Sequence, residues 1–444
     1  MIISFSLLME EVIVIGAGLA GTEAAWQLAK RGIRVILYEM RPQKLTPAHK
    51  TGFFAELVCS NSLRSKDLTN AVGLLKEELR RLGSIIMESA DIKQIPGGKA
   101  LVVDREKFAN FITEKLQNHP NIRFVCEEMT EIPTDRVVIV ATGPLTSDPL
   151  AMSLAKLFSE PFLHFYDAIS PIVHAESIDW GKVFVADRYG EEEGAYVNCP
   201  LTKEEYERFV QELLSAEKVP LHPFEEPKYF EGCLPIEVMA ERGIETLRYG
   251  PMKPKGLIDP RTGKEPYAVV QLRPENAERT LYNMVGFQTK LKYHEQERVF
   301  RLIPGLKKAE FAKYGSIHRN TFVNAPKVLT PYLQLKNYPN VFLAGQITGV
   351  EGYVESTAMG LVAGINAYRL IKVKDLVIPP PETAIGSLVH YLQFSNPKHF
   401  QPMNINWGLF PEISGKRKIK KEEKVRALVE RALKALEDWQ RELD

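Results

Sequence analysis

The sequence predicts an α/β protein, a doubly wound domain interrupted by a mixed α+β insertion. Three observations carry this reading. A strand, glycine loop, helix and strand open the chain over residues 11–40; strand signals at 136–143 and 340–345 return to the same pattern far downstream; and the stretch between them reads differently. With 444 residues, 45% apolar and 25% charged, the chain suits two or three domains at roughly 150 residues each and buries a large core without disulfides or metals.

In the opening unit, Val12-Ile-Val-Ile15 is an apolar run suited to a buried parallel strand. Gly16-Ala-Gly-Leu-Ala-Gly21 follows, then a helix expected over 22–31 with Gly32 ending it, then the strand Val35-Ile-Leu-Tyr38 closed by Glu39. The later strands are Arg136-Val-Val-Ile-Val-Ala-Thr-Gly143 and Asn340-Val-Phe-Leu-Ala-Gly345, the second leading into a helix punctuated by Gly360 and Gly364. The middle has turn clusters (Gly190 to Gly194, Tyr249 to Gly256), a strand-like run from Tyr267 to Leu272, and a helix over 202–214 with Thr202 and Glu205 in capping-box spacing. A last amphipathic helix is expected from Lys421 to Leu443. The expected division is 9–167 with 325–444 as one discontinuous domain, and 168–324 as the insertion.

Composition excludes several classes. The net charge is +1, so any contact with nucleic acid must be a local patch. Cys59, Cys126, Cys199 and Cys233 are scattered without a CxxC pair, which argues against a disulfide scaffold, a zinc ribbon and a disulfide reductase, and suits a reducing cytoplasm. No metal centre is expected. Met1 to Leu8 is apolar but lacks the basic start of a secretion signal, and Met9-Glu-Glu-Val is an equally good start. No stretch approaches the roughly 18 apolar residues of a membrane span.

The glycine loop carries the first functional signal. Gly16 allows the turn off the strand, Gly18 lets backbone N–H groups approach a pyrophosphate, and Gly21 lets the helix pack on the sheet, with Ala17, Leu19 and Ala20 between them. Glu39 stands 18 residues after Gly21, where a carboxylate meets a ribose. This is a Rossmann-like dinucleotide fingerprint. Ala141-Thr-Gly143 and Ala344-Gly-Gln346 are strand ends of the kind found in flavin-binding domains, and no second glycine-loop unit is visible. FAD is therefore the expected resident cofactor, with a nicotinamide binding transiently. Expected cofactor contacts are Gly16 to Gly21, Glu39, Arg41, Gly143, Gly345 and Gln346.

Here a resemblance becomes specific. Gly16-Ala-Gly-Leu-Ala-Gly-Thr-Glu-Ala-Ala25, Tyr38-Glu-Met-Arg-Pro42 and Glu56-Leu-Val-Cys-Ser-Asn-Ser-Leu-Arg64 resemble the folate- and FAD-dependent tRNA uracil-5 methyltransferases (TrmFO), as do Phe230-Glu-Gly-Cys-Leu-Pro-Ile-Glu237 and Ala344-Gly-Gln-Ile-Thr-Gly-Val-Glu-Gly-Tyr353. The late glycine motif is also similar to that of the longer GidA/MnmG wobble-uridine flavoproteins, whose extra helical domain this chain is too short to hold. The resemblance implies methylation of C5 of a T-loop uridine of tRNA (position 54), with methylenetetrahydrofolate as one-carbon donor and NADPH or NADH as reductant. Wobble-uridine modification, or the same methylation on ribosomal RNA, are the alternatives.

The chemistry explains which residues matter. C5 of a neutral uracil is a poor nucleophile, so a thiolate must add to C6 and a base must later take the C5 proton. Cys59 lies among Ser60, Asn61, Ser62 and Arg64, and Cys233 follows Glu231-Gly232 and precedes Pro235 and Glu237. Cys126 and Cys199 read as structural. The resemblance implies Cys233 as the nucleophile and Cys59 as the proton acceptor, a division that the residues themselves leave open. For RNA, Arg248, Lys253, Lys255, Arg261 and Lys264 form a basic run flanked by Tyr249 and Tyr267, and a second basic cluster spans Lys416 to Arg426.

Overall fold

The computed structural model describes residues 11–158, 160–188, 196–220, 229, 234–413 and 420–443. Cys233, the turn cluster at Gly190 to Gly194 and the start of the second basic cluster lie outside the described residues.

The apolar run near the N-terminus becomes the strand Glu11–Ile15, central in a six-stranded sheet. Arg34–Glu39 pairs with it in parallel on one side and Val138–Val140 on the other. Ile122–Cys126 extends the first flank and Tyr338–Leu343 the second, both parallel, with the short antiparallel Gln334–Leu335 at the edge. Strand order therefore reverses between Glu11–Ile15 and Val138–Val140. In doubly wound sheets this is where a ligand crevice opens, outside the carboxyl ends of the strands. The glycine loop and Gly143 follow those two strands.

The loop helix is Leu19–Ala29, starting three residues before its expected onset because Gly18, in extended backbone, acts as the N-cap. It packs on the late helix Tyr353–Ile371, and a Cβ at Gly360 would lie 2.2 Å from the carbonyl oxygen of Ala20. The helices can touch only because that residue has no side chain. The C-terminal helix Lys421–Leu443 closes on the same core through Leu428, Ala432, Leu436, Trp439 and Leu443.

A second, antiparallel sheet runs in the order Phe184–Val185, Val197–Leu201, Ala268–Pro274, Leu281–Met284, Ile172–His174, Phe311–Lys313. Helix Lys203–Ser215 starts with the expected capping box and buries Tyr206, Phe209, Val210 and Leu213 in a core with Phe287 and Phe300. Between the sheets, Leu163–Ile169 and Ser316–Phe322 form a two-stranded antiparallel ladder whose register sets Asp167 opposite His318. Cys199 is fully buried and its thiol is pushed up by burial. Cys126 ends its strand and donates to the carbonyl of Arg41 at 3.2 Å.

Candidate active site

Two cavities meet at the reversal point of the first sheet. The first, about 1040 Å³ of space including its open mouth, is lined by Gly16, Gly18, Leu19, Ala20, Glu39, Arg41, Gly143, Gly345 and Gln346, so nine of the expected contact residues share one cleft. Ala17 and Gly21 stand behind its wall. The N–H of Ala17 donates to Glu39 Oε2 at 2.9 Å, and a Cβ on Gly21 would sit 1.8 Å from the carbonyl oxygen of Gly16.

Glu39 is where the spacing placed it, but its oxygens are engaged. Besides Ala17, Arg41 donates its backbone N–H and Nε to Oε1, each at 3.1 Å, and Nη2 to Oε2 at 3.1 Å. Four donors match the lone-pair sites of a carboxylate. Burial would raise this carboxyl, but the hydrogen bonds and charge of Arg41 hold it below its ordinary range. Arg41 is 1% exposed and also bridges to Glu56 at 3.3 Å. His49, on the same wall, is pushed down to about 4 by burial and then by the charge of Arg41, so it is neutral at physiological pH.

The second cavity, about 990 Å³, holds Cys59 with Arg64, Asp167, His318, Glu351 and Tyr353. It shares Val58, Pro144, Leu145, Gln346 and Tyr353 with the first, so the two are continuous. Cys59 is half-buried on a loop held from several sides. Its N–H donates to the Tyr353 hydroxyl oxygen at 2.8 Å, as does that of Ser60 at 3.1 Å. Arg105 donates to the carbonyls of Leu57 and Cys59, and Lys313 Nζ to that of Val58 at 2.8 Å.

Burial sets the protonation of this pocket. His318 is lowered to about 4 by burial and by Lys313, so it too is neutral. Glu351 is raised well above its ordinary value by burial, then by the charge of Asp167, and it accepts from Gln346 Nε2 at 2.5 Å. Burial likewise raises the Tyr353 phenol. His318, Asp167, Arg105 and Lys313 carried no signal in the sequence, being far apart along the chain. Glu351 and Tyr353 sit inside the late glycine motif, but nothing in that motif assigned them a place.

The basic run at 248–264 divides. Arg248 pairs with Glu245 at 2.5 Å and lies over the Tyr267 ring at 3.7 Å, and Arg261 pairs with Asp259 at 2.8 Å. Tyr267 donates its hydroxyl to Glu245 at 2.8 Å. Lys253, Lys255 and Lys264 are exposed, as is Tyr249 at 80%.

Fold and site together define a dinucleotide-binding α/β protein with a thiol-bearing pocket opening off its cofactor cleft. The profile of the family described as GIDA, glucose inhibited division protein A, matches residues 11–375. The chain is 59% identical over 428 residues to the methylenetetrahydrofolate--tRNA-(uracil-5-)-methyltransferase TrmFO of Desulforudis audaxviator, covering 96% of this chain and 98% of that one. It is 60% identical over 433 residues to the protein of the same name from Anoxybacillus flavithermus, covering 98% and 100%. The chain belongs to the TrmFO branch of the GIDA family. The solved structure of Aquifex aeolicus GidA in its form II crystal is similar in fold, with a TM-score of 0.69 at 18% identity over 96% of this chain and 73% of that one. Among the described residues no helix is long and apolar enough to cross a membrane.

Proposed function

We propose that this chain methylates C5 of a tRNA uridine with the one-carbon unit of methylenetetrahydrofolate, using FAD held in the glycine-loop cleft and NADPH or NADH as the reductant. The observation that carries the site is the continuity of that cleft with the Cys59 pocket through Gln346 and Tyr353. The target uridine lies in the T loop, at position 54.

The cleft fits a dinucleotide. A Cβ at Gly18 would meet nothing within 4 Å, so this residue faces open space at the N-terminus of helix Leu19–Ala29, where N–H groups and the helix dipole suit a pyrophosphate. Glu39 or Arg41 takes the ribose, and a ribose hydroxyl at Glu39 displaces one of the Arg41 hydrogen bonds. Gly143, Gly345 and Gln346 flank the end nearest Cys59. FAD supplies the redox chemistry that completes the methyl group.

The chain's own residues handle the uracil. Cys233 sulfur bonds to C6; C5 bonds to the methylene carbon, whose bond to its carrier nitrogen breaks; Cys59 takes the C5 proton; and the sulfur–C6 bond breaks as reducing equivalents drawn from NADPH or NADH complete the methyl group and restore the ring. His318, lowered to about 4, is a weak base in the same pocket, and burial raises Glu351 beside it. The domain division at 9–167 with 325–444, and 168–324, puts the RNA side on the second sheet, with exposed Lys253, Lys255 and Lys264 meeting phosphates.

The test is a tRNA carrying 5-fluorouracil at the target, which cannot lose fluorine as it would a proton. The native protein accumulates a covalent adduct; Cys233→Ala forms none while keeping FAD, and Cys59→Ala still forms some. An adduct lost only in the Cys59 variant reverses the two roles.

A further inference from the structure

The loop 57–61 that carries Cys59 is gripped by three cations, one from the start of a helix and two from the second sheet. Arg105 reaches it from the start of helix Arg105–Gln117 and is itself paired with Glu275 at 2.7 Å. Arg273, buried in the second sheet, donates to Asn61 Oδ1 at 3.0 Å and Ser60 Oγ at 2.6 Å. Lys313, the last residue of the edge strand Phe311–Lys313, donates to the carbonyl of Val58 at 2.8 Å. Among the described residues, neither Arg273 nor Lys313 has a carboxylate within ion-pair distance. A desolvated ammonium has three donors and seeks a counter-charge, because burying a cation without an anion is costly.

The Cys59 sulfur is among the groups that the Lys313 charge acts on, in a pocket also lined by Asp167 and Glu351. Facing Cys59 are Arg105, Lys313, Tyr353 and Glu351, the last two raised by burial. Lys313 in turn faces Arg105, Lys50 and Glu56 as well as Cys59, and its charge bears on the rings of His49 and His318. Glu56 is committed to Arg41 and to the N–H groups of Lys50 and Thr51.

We infer that Lys313 is a positioning residue for Cys59: it fixes the loop through Val58 and holds its positive charge next to the residue that bears the thiol. The inference rests on the reading of Cys59 as the proton acceptor, since only a thiolate can take the C5 proton. Burial, then the charge of Arg105, brings Lys313 down to about 8, with Cys59 opposing the shift, so the ammonium persists at neutral pH.

The test reads the thiol directly, without turnover. Alkylation of Cys59 by iodoacetamide is followed by mass spectrometry from pH 6 to 9 in the native protein and in Lys313→Gln, Lys313→Met and Lys313→Arg, with circular dichroism confirming the fold. Gln keeps a donor for Val58 but loses the charge. The expected result is alkylation slowed about tenfold at pH 7 in Gln and Met, with the profile moved to higher pH, and restored in Arg. A native profile in Lys313→Gln overturns the inference, and because Gln is a small change at a half-buried site it is decisive even if Met does not fold. Full turnover in Cys59→Ala would instead overturn the proton-acceptor reading and leave the alkylation result standing.

Discussion

The hydroxyl oxygen of Tyr353 accepts the backbone N–H of Cys59 at 2.8 Å, a contact across 294 positions of sequence. Tyr353 opens the late helix and lines both cavities, so one side chain ties the thiol loop to the cofactor cleft. Tyr353→Phe removes the acceptor of two N–H groups, those of Cys59 and Ser60. At about 1 kcal/mol per half-buried donor left unsatisfied, thermal stability falls slightly. Turnover falls by a larger factor while FAD stays bound, because the loop loses its register; equilibrium unfolding and single-turnover methylation separate the two effects.

Two glycines of the loop should behave differently. Gly18→Val projects a branched side chain into open cleft, so the protein stays folded and loses FAD. Gly21→Ala places a Cβ 1.8 Å from the carbonyl of Gly16, so it destabilises the fold itself. Flavin absorbance measured alongside a thermal melt distinguishes them.

The cofactor half of the site was legible because its determinants are local. A turn, a close backbone approach and a helix N-terminus need glycines at fixed spacing, and the terminal acid follows one strand later. The partner of that acid was not legible, since the choice of Arg41 to occupy Glu39 depends on tertiary burial. The Cys59 pocket was legible only as a cysteine in a polar setting. Its other walls come from a ladder that sets Asp167 opposite His318 and from Lys313 on the edge of a different sheet, and no local pattern encodes such pairings. The basic run misled in part, because Arg248 and Arg261 neutralise acids three and two residues away.

Lys76 offers a test of buried charge. It is fully buried, donates to the carbonyls of Ser65 at 2.6 Å and Val72 at 3.2 Å, and is lowered to about 7 by burial and then by Arg64. Its folded value is below that of the unfolded chain, 10.5, so between about pH 7 and 10.5 the unfolded state binds the extra proton. Stability from this group therefore rises with pH across that window and is lost as pH falls through about 7. The stability of the native protein minus that of Lys76→Met should climb from pH 7 to 9 by up to about 1.4 kcal/mol per unit in urea unfolding. A flat difference contradicts it.

Reversing Lys253, Lys255 and Lys264 to Glu should weaken tRNA binding and lower the salt slope by about two, with FAD retained. Arg261 is left in place, because its ion pair with Asp259 holds the turn. An unchanged slope assigns these lysines to solubility alone.

The central claim is that the glycine-loop cleft and the Cys59 pocket form one reaction site for folate-dependent methylation. The most direct measurement is ribonucleoside analysis of tRNA incubated with the protein, NADPH and methylenetetrahydrofolate labelled in its methylene carbon. The account predicts 5-methyluridine carrying that label with native protein, and none with Cys59→Ala, although that variant remains folded and yellow with FAD. Labelled 5-methyluridine at the native rate from Cys59→Ala, or label appearing in a wobble uridine instead, would contradict it.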